Sequence, residues 1–215
     1  MIRRHRDRGA FDDLVGPAPG VMTTDRCSDY AHLDDAKHQV CWAHLRRDSR
    51  AMVDRRDRGS GTGEDLLMYA EILAEHRPEV REGRRSRGWF AREILPWLRE
   101  EVRHLLDQGS RCGGVENAGV CRELLAIEAS LWIFASREGV EPTNNAAERA
   151  VRHAVCWRKT SCGTDSERGS RSVERIPSVA ASCRSQGRDV MEFLTQAITA
   201  GQDHSARPSI LPTGP

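Results

Sequence analysis

The chain has 215 residues, enough for one large domain or two small ones with a buried core, and its 33 Lys and Arg nearly balance its 32 Asp and Glu. A formal net charge of +1 removes whole-chain charge as an argument for a polyanionic partner. The longest apolar cluster is far too short to span a bilayer, and seven scattered cysteines, an odd number, do not form a disulfide framework, so the sequence reads as a soluble cytoplasmic protein with reduced thiols.

Residues 1–18 mix Arg, Asp, Gly and Pro without periodicity and are expected to form a disordered leader. Residues 20–25, Gly-Val-Met-Thr-Thr-Asp, read as a short strand ending in the carboxylate of Asp25, and residues 39–42, Gln-Val-Cys-Trp, as a second. A helical or turn segment around 28–35 joins them, which predicts a small parallel α/β unit. After Ala43 the pattern turns helical. Leu66, Tyr69, Ala70 and Leu73 share one face of a helix over 64–75, and 76–87 reads as a charged, solvated loop. Phe90, Ile94, Trp97, Glu101 and Leu105 mark a helix over 88–108, with Pro96 as a kink. The most regular pattern is Val120, Leu124, Ile127, Leu131 and Phe134, predicting one helix over 120–137 that stops at Gly139. Trp89, Trp97 and Trp132 fall on these stripes and are expected in the core. Another helix opens after Pro142, residues 162–169 form a loop, and Val173, Ile176, Val179, Ala180 and Cys183 mark a further helix. Asp189 and Glu192 have capping-box spacing for a last helix ending near Ala200, and the Pro- and Ser-rich tail from 201 is expected to fray.

Three groups of residues bear on chemistry. Asp25, at the carboxyl end of a predicted parallel strand, sits where α/β sheets place functional residues, although an Asp there is also a favoured cap of the following helix. Asn144-Asn-Ala-Ala-Glu148-Arg-Ala-Val-Arg152 puts a carboxylate one turn inside a helix beside Arg149 and Arg152; the competing reading is a capping box between Asn145 and Glu148. Cys41 and His44 form a Cys-x-x-His pair, but a closed zinc site needs four ligands and no second pair follows at matching spacing. From 144 to 188 basic residues outnumber the acidic Glu148, Asp165, Glu167 and Glu174 by nine to four, so this stretch is locally basic. Only Lys37 and Lys159 are lysines; the remaining positive charge is guanidinium, suited to bidentate phosphate contacts and to surface ion pairs alike.

Several segments in order carry a resemblance. Thr24-Asp-Arg-Cys-Ser-Asp-Tyr30, Cys41-Trp-Ala-His-Leu-Arg-Arg47, Glu141-Pro-Thr-Asn-Asn-Ala-Ala-Glu148-Arg-Ala-Val-Arg152, Trp157-Arg-Lys-Thr-Ser-Cys-Gly-Thr164, Glu174-Arg175 and Cys183-Arg-Ser-Gln-Gly-Arg-Asp189 resemble consecutive C-terminal blocks of insertion-sequence-66 transposases of the DDE type. The resemblance implies an α/β, mostly helical fold: residues 19–200 as the C-terminal part of an RNase H-like catalytic domain with two remaining short parallel strands, a helical insertion over about 49–139, and a flexible tail over 201–215. It implies Mg²⁺-dependent DNA cleavage and strand transfer in a bacterial cytoplasm, with Asp25 and Glu148 as the second and third acidic metal ligands. Hard carboxylates suit Mg²⁺, and a pair of such ions activates the attacking oxygen and stabilises the leaving one. Arg149, Arg152, Arg158 and Lys159 are the expected DNA-backbone contacts. The implied partners are the insertion-sequence ends, with a homo-oligomer and element-encoded accessory proteins.

The sequence departs from that family in places. Asp7, Asp12 and Asp13 are the only acids upstream of Asp25 and none has a strand-like context, so the family's first catalytic Asp is expected to be absent and the chain inactive as it stands. Cys27 and Cys162 replace a usual aromatic, His153 replaces a usual Pro, and Pro177 falls within a predicted helix. The competing functions are a non-catalytic DNA-binding or subunit-interfering remnant and a pseudogene product without function.

Overall fold

The structure, a computed structural model, describes residues 7–16, 20–161 and 163–211; the rest of the expected leader, Cys162 and the end of the tail lie outside these. The described residues are mostly helical, and they divide into two units, Asp7–Asn145 and the residues from Ala146 onward, a division inside the single domain expected over 19–200.

In the first unit, part of the expected leader is a helix, α1 (Arg8–Val15). Asp7 caps it by accepting the Ala10 N–H at 2.8 Å, and Gly16 at φ +61° ends it. Two parallel strands follow as predicted, β1 (Met22–Thr24) and β2 (His38–Val40), with Thr24 opposite Val40. Their crossover is two 3₁₀ turns, Ser28–Tyr30 and Asp35–Lys37, and β2 is wholly buried.

Three long helical stretches build the core. Helix α2 (Trp42–Asp54) packs on α3 (Ser60–Arg81). A Cβ at Gly63 would lie 2.8 Å from both Met52 Cβ and the Ser49 carbonyl oxygen, so only glycine permits this approach. Helix α3 runs through Pro78, which corrects the loop expected over 76–87: only 82–86 are non-helical, and Val80 packs against the core. Next come α4 (Arg87–Trp89), a π-helical turn (Phe90–Ile94) and α5 (Leu95–Ser110). The π turn, in which the Leu95 N–H reaches back to the Phe90 carbonyl, stands immediately before Pro96 and inserts one residue. It therefore shifts the buried stripe from the expected Trp97 and Glu101 to Leu98, Val102 and Leu106, with Leu105 buried as expected, and leaves Trp97 46% exposed rather than in the core. Trp97 meets the Tyr69 ring edge-on at 6.0 Å instead, while Trp132 is buried as expected.

The helix expected over 120–137 is broken into α6 (Val115–Ala126), a 3₁₀ turn (Glu128–Leu131) and α7 (Ile133–Ser136). The cause is tertiary. Gln39 on β2, fully buried, donates Nε2 to the Leu131 carbonyl at 3.0 Å and accepts the Phe134 N–H on Oε1 at 2.8 Å, while Trp42 Nε1 donates to the same Leu131 carbonyl at 2.8 Å. These bonds satisfy the groups a helix would have paired. Leu124, Leu131 and Phe134 are buried as their spacing predicts, and the segment stops at Gly139, at φ +77°.

The second unit holds α8 (Asn145–Thr160), α9 (Glu167–Ser185) and α10 (Val190–Gln202). Helix α9 passes through Pro177 and ends at Gly187, at φ +66°, with the Arg188 N–H returning to the Cys183 carbonyl at 2.8 Å. Asp189 caps α10 through the Glu192 N–H at 2.7 Å, as its spacing predicts. Where fraying was expected, Gln186 and Arg188 donate to the carbonyls of Ile210 and Ser209. Few residues are buried: Cys183, Phe193 and Ala200.

Candidate functional site

Asp25 stands immediately after β1, at the carboxyl end of the parallel pair, as the sequence predicts. It is half-buried, and its Oδ1 accepts the Cys27 N–H at 3.3 Å, closing a turn two residues long. This bond leads into the first 3₁₀ turn, so Asp25 has a turn-forming role. Its own carbonyl accepts the Thr24 hydroxyl at 2.7 Å, and that hydroxyl oxygen meets His38 Nε2, also at 2.7 Å. Since Thr24 has spent its only proton on Asp25, His38 must be the donor, which fixes its tautomer. Burial pushes His38 below its ordinary value, against the pull of Asp35 and with the repulsion of His32. Arg26 ties the same strand end to two helices through Asp48 on α2, at 2.7 Å, and Glu123 on α6. Burial works against its charge, but those two carboxylates together hold the guanidinium above its usual range.

The segment leading into α8 is anchored to the same strand ends. The Cys41 N–H donates to the Thr24 carbonyl at 2.8 Å, the Trp42 N–H to Pro142 at 2.9 Å, and the Asn144 N–H to Cys41 Sγ at 3.4 Å. Cys41, fully buried, is thus engaged in packing the Asn-Asn block. Within α8, helical residues begin at Asn145, which places the capping position at Asn144 and Glu148 at the fourth helical residue, out of step with an Asn145–Glu148 capping box. The Asn144 side-chain oxygen, though buried, accepts no hydrogen bond from the described residues, so it does not cap the helix. Glu148 lies in the exposed first turn of α8, where an acidic side chain complements the helix dipole, and Arg149, Arg152, Arg158 and Lys159 are all exposed on the same helix.

The upstream acids stand on or beside α1 and not on a strand: Asp7 caps it, Asp12 pairs with Arg8 and His32, and Asp13 is helical. Among the described residues no group of three His, Cys, Asp or Glu is placed to hold a metal ion. Asp25 is nonetheless of the type that fits magnesium, which takes one or two protein carboxylates and completes its shell with water and substrate phosphate oxygens. Sequence reasoning missed His38, Thr24, Arg26 and Gln39 as the scaffold of this strand end. A polar residue in a predicted strand gives no sign of which partner it will find.

A short parallel sheet with a carboxylate at its end, embedded in helices, defines an α/β protein with a strand-end acidic site. The sequence profile of the Transposase IS66 family matches residues 1–172, and the chain belongs to that family. An uncharacterized protein of Sinorhizobium fredii, y4qI, is 26% identical over 194 residues, which cover 84% of this chain and 35% of that protein. The chain thus spans about a third of the length of this relative. No solved structure matches it. Among the described residues no helix is long and apolar enough to cross a membrane, and the six described cysteines are free thiols.

Proposed function

We propose that this chain is part of a DNA transposase of the DDE type with an RNase H-like core, in which Asp25 and Glu148 are two of the carboxylates that hold Mg²⁺ and α8 contributes phosphate contacts to the element's ends. Family membership supports the transposase reading. The observation that carries the assignment of Asp25 is its place at the carboxyl end of β1 in a parallel pair, fixed by the Thr24, Cys27 and Arg26 contacts. Asp25 and Glu148 supply hard oxygens. These two carboxylates would hold Mg²⁺, and the ion, when bound, would supply charge stabilisation for an attacking and a leaving oxygen. Arg149, Arg152, Arg158 and Lys159 hold the backbone without reading its sequence.

Asp7, Asp12 and Asp13 sit on or cap α1, so the residues of this chain carry two of the family's three acids, and strand transfer by the chain alone is not expected. A non-catalytic DNA-binding role needs α8 and not the metal site; the exposure of every basic residue named on α8 favours keeping it as the second reading.

The test is Mn²⁺ titration followed by paramagnetic broadening of NMR signals. The metal reading expects signals around both Asp25 and Glu148 to broaden at the same ion concentration, and Asp25→Asn or Glu148→Gln to raise the concentration needed by about ten-fold. Broadening at one residue that ignores substitution of the other overturns the shared metal.

A further inference from the structure

A cleft between α2, α3 and residues 142–145 plays no part in the chemistry above. It lies wholly within the Asp7–Asn145 unit, measures about 140 Å³ and is lined by Arg46, Arg77, Arg81 and Thr143 over the flank of Trp42. At about 30 Å³ per water that is room for four or five waters, hence for a tetrahedral anion. No carboxylate lines it among the described residues.

The three guanidinium groups are not equivalent. Arg77 is committed: Nε donates to Glu141 Oε2 at 2.8 Å and Nη2 to the same oxygen, which fixes its plane. Among the described residues Arg46 and Arg81 are held by long pairs, 3.6 Å to Glu71 and 3.6 Å to Glu82, between side chains about half exposed to solvent. Such pairs are weak and readily exchanged for a better anion. Thr143 adds an independent signal. Its hydroxyl oxygen is buried yet has no hydrogen-bond partner among the described residues, a condition that a phosphate oxygen in the cleft would relieve. Arg46 and Arg81 project from different helices, α2 and α3, whose packing is locked by Gly63, so the two charges are held on a rigid frame.

We propose that this cleft is a phosphate subsite for the DNA backbone, with Arg46 and Arg81 as its cationic ligands and the Thr143 hydroxyl as donor. The inference rests on the reading that the chain handles DNA, and adds a contact on the first unit, separate in the chain from the basic residues of α8.

The experiment measures affinity for a fluorescent duplex of arbitrary sequence against salt concentration. It compares wild type, the double variant Arg46→Gln/Arg81→Gln, Thr143→Val, and Arg149→Gln/Arg152→Gln as reference. Loss of two phosphate contacts is expected to weaken binding about ten-fold at low salt and to reduce the slope of log affinity against log salt by about 1–2. Thr143→Val keeps every charge, so a loss of about three-fold with an unchanged slope is expected. If a lowered melting temperature accompanies the double variant's loss, Thr143→Val decides: wild-type affinity overturns the subsite. Unchanged affinity and slope in the double variant overturn it too, while leaving the transposase reading intact if wild type and the α8 reference bind as expected. A wild-type chain that binds no duplex at low salt overturns both.

Discussion

Thr24 spends its one proton on the Asp25 carbonyl, and its oxygen receives the His38 N–H, so the imidazole is tied into the strand end that carries Asp25. Burial, the largest influence, lowers the pKa of His38 from an ordinary value of 6.5. The sign of the consequence follows from proton binding: below about pH 6.5 the unfolded chain takes up a proton that the folded chain refuses, so stability falls as pH falls. The contribution of neutral His38 is fully present near pH 7.5. It is lost between 6.5 and the lowered folded value, at a rate of up to about 1.4 kcal/mol per pH unit. Denaturant titrations of wild type and His38→Gln at pH 7.5 and 5.5 measure it. The variant is expected to lose less stability than wild type over that interval, and equal losses would assign the pH response to other groups. Cys121 shows the same physics in a thiol: burial first, then Cys112, outweigh Arg122 and push it up to about 11, so it stays protonated.

Among the elements, periodicity located most helices and failed where another part of the chain intervened. The stripe of Leu66, Ala70 and Leu73 correctly marks the buried face of α3, and the capping residue Asp189 correctly starts α10. The stripe of 90–105 fails at Trp97 and Glu101, where one π turn before Pro96 shifts the buried face to Leu98 and Val102, while Phe90 and Leu105 are buried as expected. The stripe of 120–134 names buried side chains but not a continuous helix, because Gln39, some 90 residues away in sequence, takes the Leu131 carbonyl and the Phe134 N–H. The packing of α2 against α3 is equally non-local, and it gives a prediction at this scale. Gly63→Ala gains up to about 1 kcal/mol of helix propensity but forces a methyl group onto the Ser49 carbonyl and Met52. Overpacking of this kind costs about 1–3 kcal/mol, so the net effect expected is a lower denaturant midpoint with an unchanged slope. A midpoint at or above wild type would mean the helices part freely.

Across the whole molecule, burial is concentrated in the Asp7–Asn145 unit, whose core runs from Val40 through Met52, Leu66, Leu98, Leu106 and Leu124 to Leu131. Helix α8 buries no residue. Backbone amides of α3 and α5 are therefore expected to exchange with solvent through global unfolding, and those of α8 through local opening, faster by about a hundred-fold or more. Hydrogen exchange followed by mass spectrometry reads this directly, and equal protection of α8 and α3 would show that α8 is covered. This distribution also marks the boundary of what the sequence could say. Residue types and their order determined by themselves the family, the two parallel strands, the strand-end position of Asp25 and the apolar face of α3, because these depend on local periodicity and on motifs a few residues long. The tertiary structure alone decided where helices break, which face turns inward after the π turn, and which polar groups hold Asp25 in place. Those outcomes depend on hydrogen bonds and close approaches between residues far apart in the chain, and no local pattern encodes such a partner.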